Sequence, residues 1–369
     1  MTTRRGVAIG CGGLLGFAWT AVALDAVERA LNWDIRTAEV LIGTSAGAEL
    51  VAALGSGRTP TDLLAALDGT PDADPILAAH VAVDPGKLPP PPALAFPAIG
   101  LVGAGLRTRS PYTALAGLLP RGRGDAGWLR RYGQALAGPD GWVSHPATWV
   151  VAADATTGER VAFGANAHDI AETAKGARAP ADVRDAGKGE RAAVDVRDVA
   201  KGARAAADVR DEATGGRRVG AQDAVDIGDA IAASWAIPGW FPTVRIGGRD
   251  YVDGGSVSSV SADLLAPLQL DEVVVIAPMT SEGGAPATGV DRVERLLRAQ
   301  MTRGLDREIA LLRAAGTRVI RVEPGREELA AMGPNFMDAV RRPATLAAAR
   351  RAIDERVAAA IHTADRVSA

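Results

Sequence analysis

The chain has 369 residues, of which 47% are hydrophobic but only 4% aromatic, so alanine, valine and leucine must fill its core. That length suits one large α/β domain or two smaller ones. A formal net charge of −3 excludes a broad nucleic-acid footprint, and a single cysteine, Cys11, excludes an intramolecular disulfide and any cysteine-rich metal site.

Arg4-Arg5 precedes an uncharged run over 6–24 that has the outline of a signal peptide or a membrane span. Four glycines between Gly10 and Gly16 argue against a continuous helix there. The run divides instead into a strand at 7–9, a glycine turn, and a helix over about 14–31. No other segment approaches the ~20 apolar residues a membrane-crossing helix requires. Together with the single cysteine, this leads us to expect a cytoplasmic protein, peripheral at a membrane at most.

Gly10-Cys11-Gly12-Gly13-Leu14-Leu15-Gly16 lies between that strand and that helix. Three readings stay open for it. Unobstructed backbone N–H groups at a helix N-terminus can hold an oxyanion, the glycines can be a structural turn, or Gly10-x-Gly12-x-x-x-Gly16 can be a loose dinucleotide loop. Next, Val40-Leu41-Ile42 reads as a buried strand, followed by Gly43-Thr44-Ser45-Ala46-Gly47 and an alanine-rich helical run over 48–54. In this G-x-S-x-G pattern the glycines allow a sharp turn that leaves the Ser45 hydroxyl beside a helix N-terminus. A plain strand–helix turn is the bland alternative. As a nucleophile, Ser45 would need a base and an oxyanion site.

Residues 58–147 carry Pro89-Pro90-Pro91-Pro92 and scattered Gly and Trp, which predicts short helices and loops over the functional edge of the sheet. The segment is either a lid or substrate surface, or a solvated linker. Two strands, at 148–153 and 160–163, are joined by a Gly-containing hairpin connection. Lys175-Gly176, Lys188-Gly189 and Lys201-Gly202 then recur in step with three copies of an Asp-Val-Arg-Asp core. So much charge with so few large apolar residues predicts a tandem-duplicated, disordered insertion over 169–220. Its Asp residues lack the dense ligand run of a calcium loop. Order is expected to resume at Ile227, with a helix over 228–236, a Pro-bounded loop at 237–242, and strands at 249–252 and 273–276. Helices over 288–315 and 344–361 flank a last strand at 318–322.

Asp253-Gly254-Gly255 follows a predicted strand, and the glycines let the Asp253 carboxylate approach another loop closely. The four histidines, His80, His145, His168 and His362, read as surface or loop residues, none on the strand-end loops that triads use. A Ser45–Asp253 dyad is therefore better supported than a triad.

With these motifs in order, the chain resembles the patatin-like phospholipase family. The family pairs a glycine-rich oxyanion loop, a G-x-S-x-G serine and a D-G-G/A aspartate, here around Gly10, Gly12, Gly13 and Gly16, at Gly43 to Gly47, and at Asp253, Gly254 and Gly255. The block Ala233-Ser234-Trp235-Ala236-Ile237-Pro238-Gly239-Trp240-Phe241-Pro242-Thr243-Val244 resembles the family's segment before that aspartate. The resemblance implies a single three-layer α/β/α domain with a central, mostly parallel sheet, and hydrolysis of a lipid or small ester substrate. In it Ser45 attacks, Asp253 accepts the proton, and the amides of Gly12, Gly13 and Leu14 hold the oxyanion. No metal or organic cofactor is called for. An acyltransferase, or a non-catalytic lipid- or partner-binding module, are the alternatives. Cys11 stands where the family has its first loop glycine, Leu15 replaces its usual Arg or Lys, and Ser258 and Ser259 stand where an Asn often follows D-G-G. Losing that cation bears on head-group preference more than on ester chemistry.

Overall fold

The computed structural model describes residues 3–165, 225–281, 284 and 291–368, so the repeat over 169–220 lies outside the described residues. Apolar five-residue runs build its centre: β1 (Arg5–Ile9), β2 (Val40–Thr44), β7 (Glu272–Ile276) and β8 (Arg318–Val322), with β3 (Thr148–Asp154) beside β2. These five lie in the order β3-β2-β1-β7-β8, all neighbours parallel. Strands covered on both faces need apolar side chains at consecutive positions. Accordingly Val7, Leu41, Val150, Val274 and Ile320 face one core, and Ala8, Ile42, Val151, Val275 and Val319 the other.

Helices cover each face. On the first lie α1 (Gly13–Leu31), α2 (Ala46–Gly55), α3 (Pro60–Asp68), α4 (Pro75–Val81) and α7 (Gly127–Leu136), with α8 (Ile227–Ser234), α10 (Arg326–Met332) and α11 (Arg342–Ser368). On the second lie α9 (Asp291–Ala314) and a 3₁₀ segment at Ala262–Leu268. The result is a helix–sheet–helix sandwich. Local signals set the boundaries. Thr59 and Asp62 form a reciprocal capping box on α3 behind Pro60, and the left-handed Gly69 ends it.

Three antiparallel strands complete the sheet: β4 (Arg160–Phe163), β5 (Val244–Ile246) and β6 (Arg249–Asp253). Their register positions the site. Ala152 of β3 pairs with both Val161 and Asp253, so β4 and β6 occupy opposite edges of β3. Val150 and Val151 pair with both β4 and β2, so β2 shares the β6 edge. Thr44 ends β2 opposite Val151, and Asp253 ends β6 opposite Ala152. The two strands therefore meet end to end, with Ser45 leaving the sheet where Asp253 arrives.

The predicted elements largely form, with differences. β5 and α10 have no counterpart in the sequence reading. Residues 58–147 are indeed short helices and loops, but α3, α4 and α7 pack into the main core. Only α5 (Gly100–Thr108), α6 (Pro111–Gly117) and the loops around them stand on the sheet's end. Among the described residues, no helix is long and apolar enough to cross a membrane.

Candidate active site

Ser45 is the single residue between β2 and α2, with φ 55° and ψ −119°. A non-glycine residue at such a φ stores on the order of 1–3 kcal/mol and persists only where its surroundings fix it. Two glycines make the turn feasible. A Cβ at Gly43 would lie 2.2 Å from the Gly47 carbonyl oxygen, and one at Gly47 would lie 2.2 Å from that of Ile9. The Ser45 N–H donates to Ser234 Oγ at 2.7 Å, and Ser234 donates in turn to the Val151 carbonyl at 2.6 Å. α8 thus locks the turn from above β3.

The Ser45 hydroxyl donates to Asp253 Oδ2 at 2.8 Å, and the Gly255 N–H donates to Oδ1 at 2.7 Å. The Asp253 N–H itself donates to the Ala236 carbonyl at 3.0 Å. Both side chains are buried, Ser45 to 2% and Asp253 to 5% exposure. Burial pushes the Asp253 carboxyl up to about 7, and the two hydrogen bonds only partly offset it. A carboxylate poised there can exchange a proton with a hydroxyl near neutral pH.

The glycine loop closes the third side. Gly10 and Cys11 N–H groups donate to the Ile276 and Ser259 carbonyls, at 2.9 and 2.8 Å, and the Leu15 N–H donates to Phe336 at 3.1 Å. Between them, the amides of Gly12, Gly13 and Leu14 have no acceptor among the described residues. They stand at the N-terminus of α1, where the helix dipole favours negative charge. Gly13 has φ +55°, and a Cβ on it would meet Phe336 at 2.5 Å, so this bend excludes a side chain. Gly12 and Gly16 lie under Pro278, where a Cβ would come within 2.8 and 3.3 Å of that ring. Only glycine fits at position 254, because a Cβ there would press within 2.7 Å of the Val151 carbonyl oxygen. Cys11 packs on Gly255, and burial pushes its thiol far above the usual cysteine range.

Supporting residues outside the motifs complete the frame. The Arg298 guanidinium, buried on α9, donates to the carbonyls of Pro278 at 2.6 Å and Thr280 at 3.2 Å, bracing the turn that covers Gly12. Ser258 donates to Glu308 and accepts the Ser261 N–H at 2.8 Å. It anchors the turn whose Ser259 carbonyl holds Cys11. Nothing in the local sequence marks Arg298 or Glu308. Ser234 lies in the 233–244 block, the one sequence signal for it.

The histidines require one correction. His80 is not a surface or loop residue: it is buried on α4, stacked on Tyr132 at 3.7 Å between ring centroids, and hydrogen-bonded to Glu49 of α2. Desolvation raises Glu49, which lies in the first turn of α2, the helix that follows Ser45. The half-buried His145 binds the Ala38 carbonyl through Nε2 at 2.8 Å, and His362 is exposed on α11. His168 lies outside the described residues. No described histidine bonds to Ser45 or Asp253, and no described group of three His, Cys, Asp or Glu residues has the arrangement to hold a metal ion. A cavity of about 290 Å³ between β8 and α11, edged by Arg321, Arg326 and Arg356, shares no lining residue with the Ser45 site.

A family model described as patatin-like phospholipase matches residues 7–266. No curated protein matches the chain.

Proposed function

The chain belongs to the patatin-like phospholipase family, whose members are generally lipid acyl hydrolases, and from that premise we propose that it is a serine lipid acyl hydrolase working through Ser45 and Asp253. The observation that carries this reading is the buried 2.8 Å hydrogen bond from Ser45 to a carboxyl group pushed up to about 7.

Asp253 Oδ2 takes the hydroxyl proton as Ser45 Oγ attacks the ester carbonyl carbon. Negative charge then develops on the carbonyl oxygen, and the amides of Gly12, Gly13 and Leu14 are its donors. These donors are held before the substrate arrives, so little reorganisation opposes the step. The tetrahedral intermediate collapses, and the departing alcohol takes the proton from Asp253. Water enters, gives a proton to Asp253 and attacks the acyl carbon, after which Ser45 recovers its hydrogen and the free acid leaves. The test is hydrolysis of a phospholipid and of a short-chain ester by the natural chain and by Ser45→Ala. Both reactions are expected to vanish in the variant. Full activity in Ser45→Ala would remove that serine from the mechanism.

A further inference from the structure

Of the exposed large hydrophobic side chains, a cluster falls within residues 88–119: Leu88, Leu94, Phe96, Ile99, Leu106, Leu115, Leu118 and Leu119. Leu94 is fully exposed, and Leu88 and Leu106 are exposed to 75% and 73%. Residues 85–124 also hold Lys87, Arg107, Arg109, Arg121 and Arg123 and no Asp or Glu, although the chain as a whole has a net charge of −3. All five cations are exposed.

The α5–α6 hairpin and the loop backbone paired beside it carry most of both features. α5 and α6 are a tight hairpin, because Gly105 leaves room for Ala114, and Gly117 for Val102. The Ala93 N–H donates to the Arg121 carbonyl at 2.8 Å and the Arg121 N–H to Ala95 at 2.7 Å, which sets the backbone around Leu94 against Arg121. Ala98, Leu101 and Ala116 seat the hairpin on Ala153, Ala155 and Val252, at the end of the sheet where Asp253 lies. Tyr112 of α6 packs beside Cys11 of the glycine loop. An exposed apolar area of this kind on a folded domain marks an interaction surface.

We propose that the 85–124 module is the face by which the protein docks on a lipid surface rich in anionic headgroups. Apolar side chains enter the acyl boundary while the surrounding cations meet the headgroups. Charge complementarity selects this occupant over a second copy of the chain, since two such faces would bring ten like charges together. The inference rests on the hydrolase reading for its consequence, delivery of the ester to Ser45, but docking itself is measurable without turnover.

The experiment uses Ser45→Ala, which keeps the lipid intact, and co-sedimentation with phosphatidylglycerol or phosphatidylcholine vesicles. At about 0.01 M salt, phosphatidylglycerol should be bound at least tenfold more tightly, and the difference should vanish near 1 M salt, where the Debye length falls to about 3 Å. Adding Leu94→Glu with Phe96→Glu should weaken binding to both vesicles about tenfold or more. Arg121→Glu with Arg123→Glu should remove the anionic preference alone. Melting curves matching that of Ser45→Ala establish that these surface variants fold. Equal affinity for the two lipids, no binding to either, or variants that melt normally and bind unchanged would overturn the proposal. So would a dimer in sedimentation that Leu94→Glu dissociates, which would assign the face to a second copy. Loss of turnover in the natural chain with vesicle binding intact would instead count against the hydrolase reading.

Discussion

Asp253→Asn removes a buried charge while keeping the shape of the side chain. The amide oxygen can still accept the Gly255 N–H, and the amide nitrogen can face Ser45 Oγ, so both hydrogen bonds near 2.7–2.8 Å have replacements. Burial raises the Asp253 carboxyl from 3.8 to about 7 in the folded protein. Between those values the unfolded chain has lost its proton while the folded one retains it. Natural stability must therefore fall as pH rises from about 4 to about 7, and level off above. At 1.36 kcal/mol per pH unit the full displacement corresponds to up to about 4 kcal/mol. The Asn variant has no such proton to lose. Urea unfolding at pH 5 and pH 8 should show the natural chain losing up to about 3 kcal/mol relative to Asp253→Asn. If Asp253 is the base as proposed, hydrolysis should rise with pH toward a midpoint near 7, where the folded carboxyl loses its proton. Parallel stability curves for the two chains, with an activity midpoint near 4, would refute the desolvated-base argument.

Ser234→Ala leaves the Ser45 N–H without its acceptor in a buried turn, which costs about 1–3 kcal/mol, and misplaced serine geometry should lower kcat more than it raises KM; steady-state kinetics with a short-chain ester would measure the split. Gly47→Ala drives a methyl group into the backbone of Ile9 and should destabilise by about 1–3 kcal/mol or prevent folding, read by thermal melting, whereas Gly57→Ala, whose added Cβ meets nothing within 4 Å, should lose only the smaller strain of a positive φ. Cys11 should resist a thiol reagent at pH 8 in the native state and react fully once unfolded; prompt native labelling would contradict its buried, protonated thiol.

The first half of the fold was legible because glycines punctuate it. The apolar 40–42 run, the 43–47 turn and the alanine-rich helix follow one another without ambiguity, and β8 forms at the predicted 318–322. β5 has no sequence signature, because a three-residue strand between Pro242 and the Gly247-Gly248 turn is too short for an alternating pattern. α10 lacks one too, because Arg326-Glu327-Glu328 masks a helix that buries only Glu328, Leu329 and Met332. Ser45 and Asp253 could be paired from their motifs. Their contact across 208 residues depends on both strands sharing one edge of β3, and no local pattern encodes that register. The same holds for His80, whose buried partner Glu49 lies 31 residues away. A histidine's surroundings come from tertiary packing, so its neighbours in sequence point to a loop where the fold builds a core.

The most direct test of the central claim is labelling with a fluorophosphonate probe, comparing the natural chain with Ser45→Ala and Asp253→Asn. An activated Ser45–Asp253 pair predicts labelling of the natural chain, none in the Ser45 variant and much less in the Asp253 variant. A correctly folded natural chain that takes no label, or a Ser45→Ala chain that labels as strongly, would contradict it.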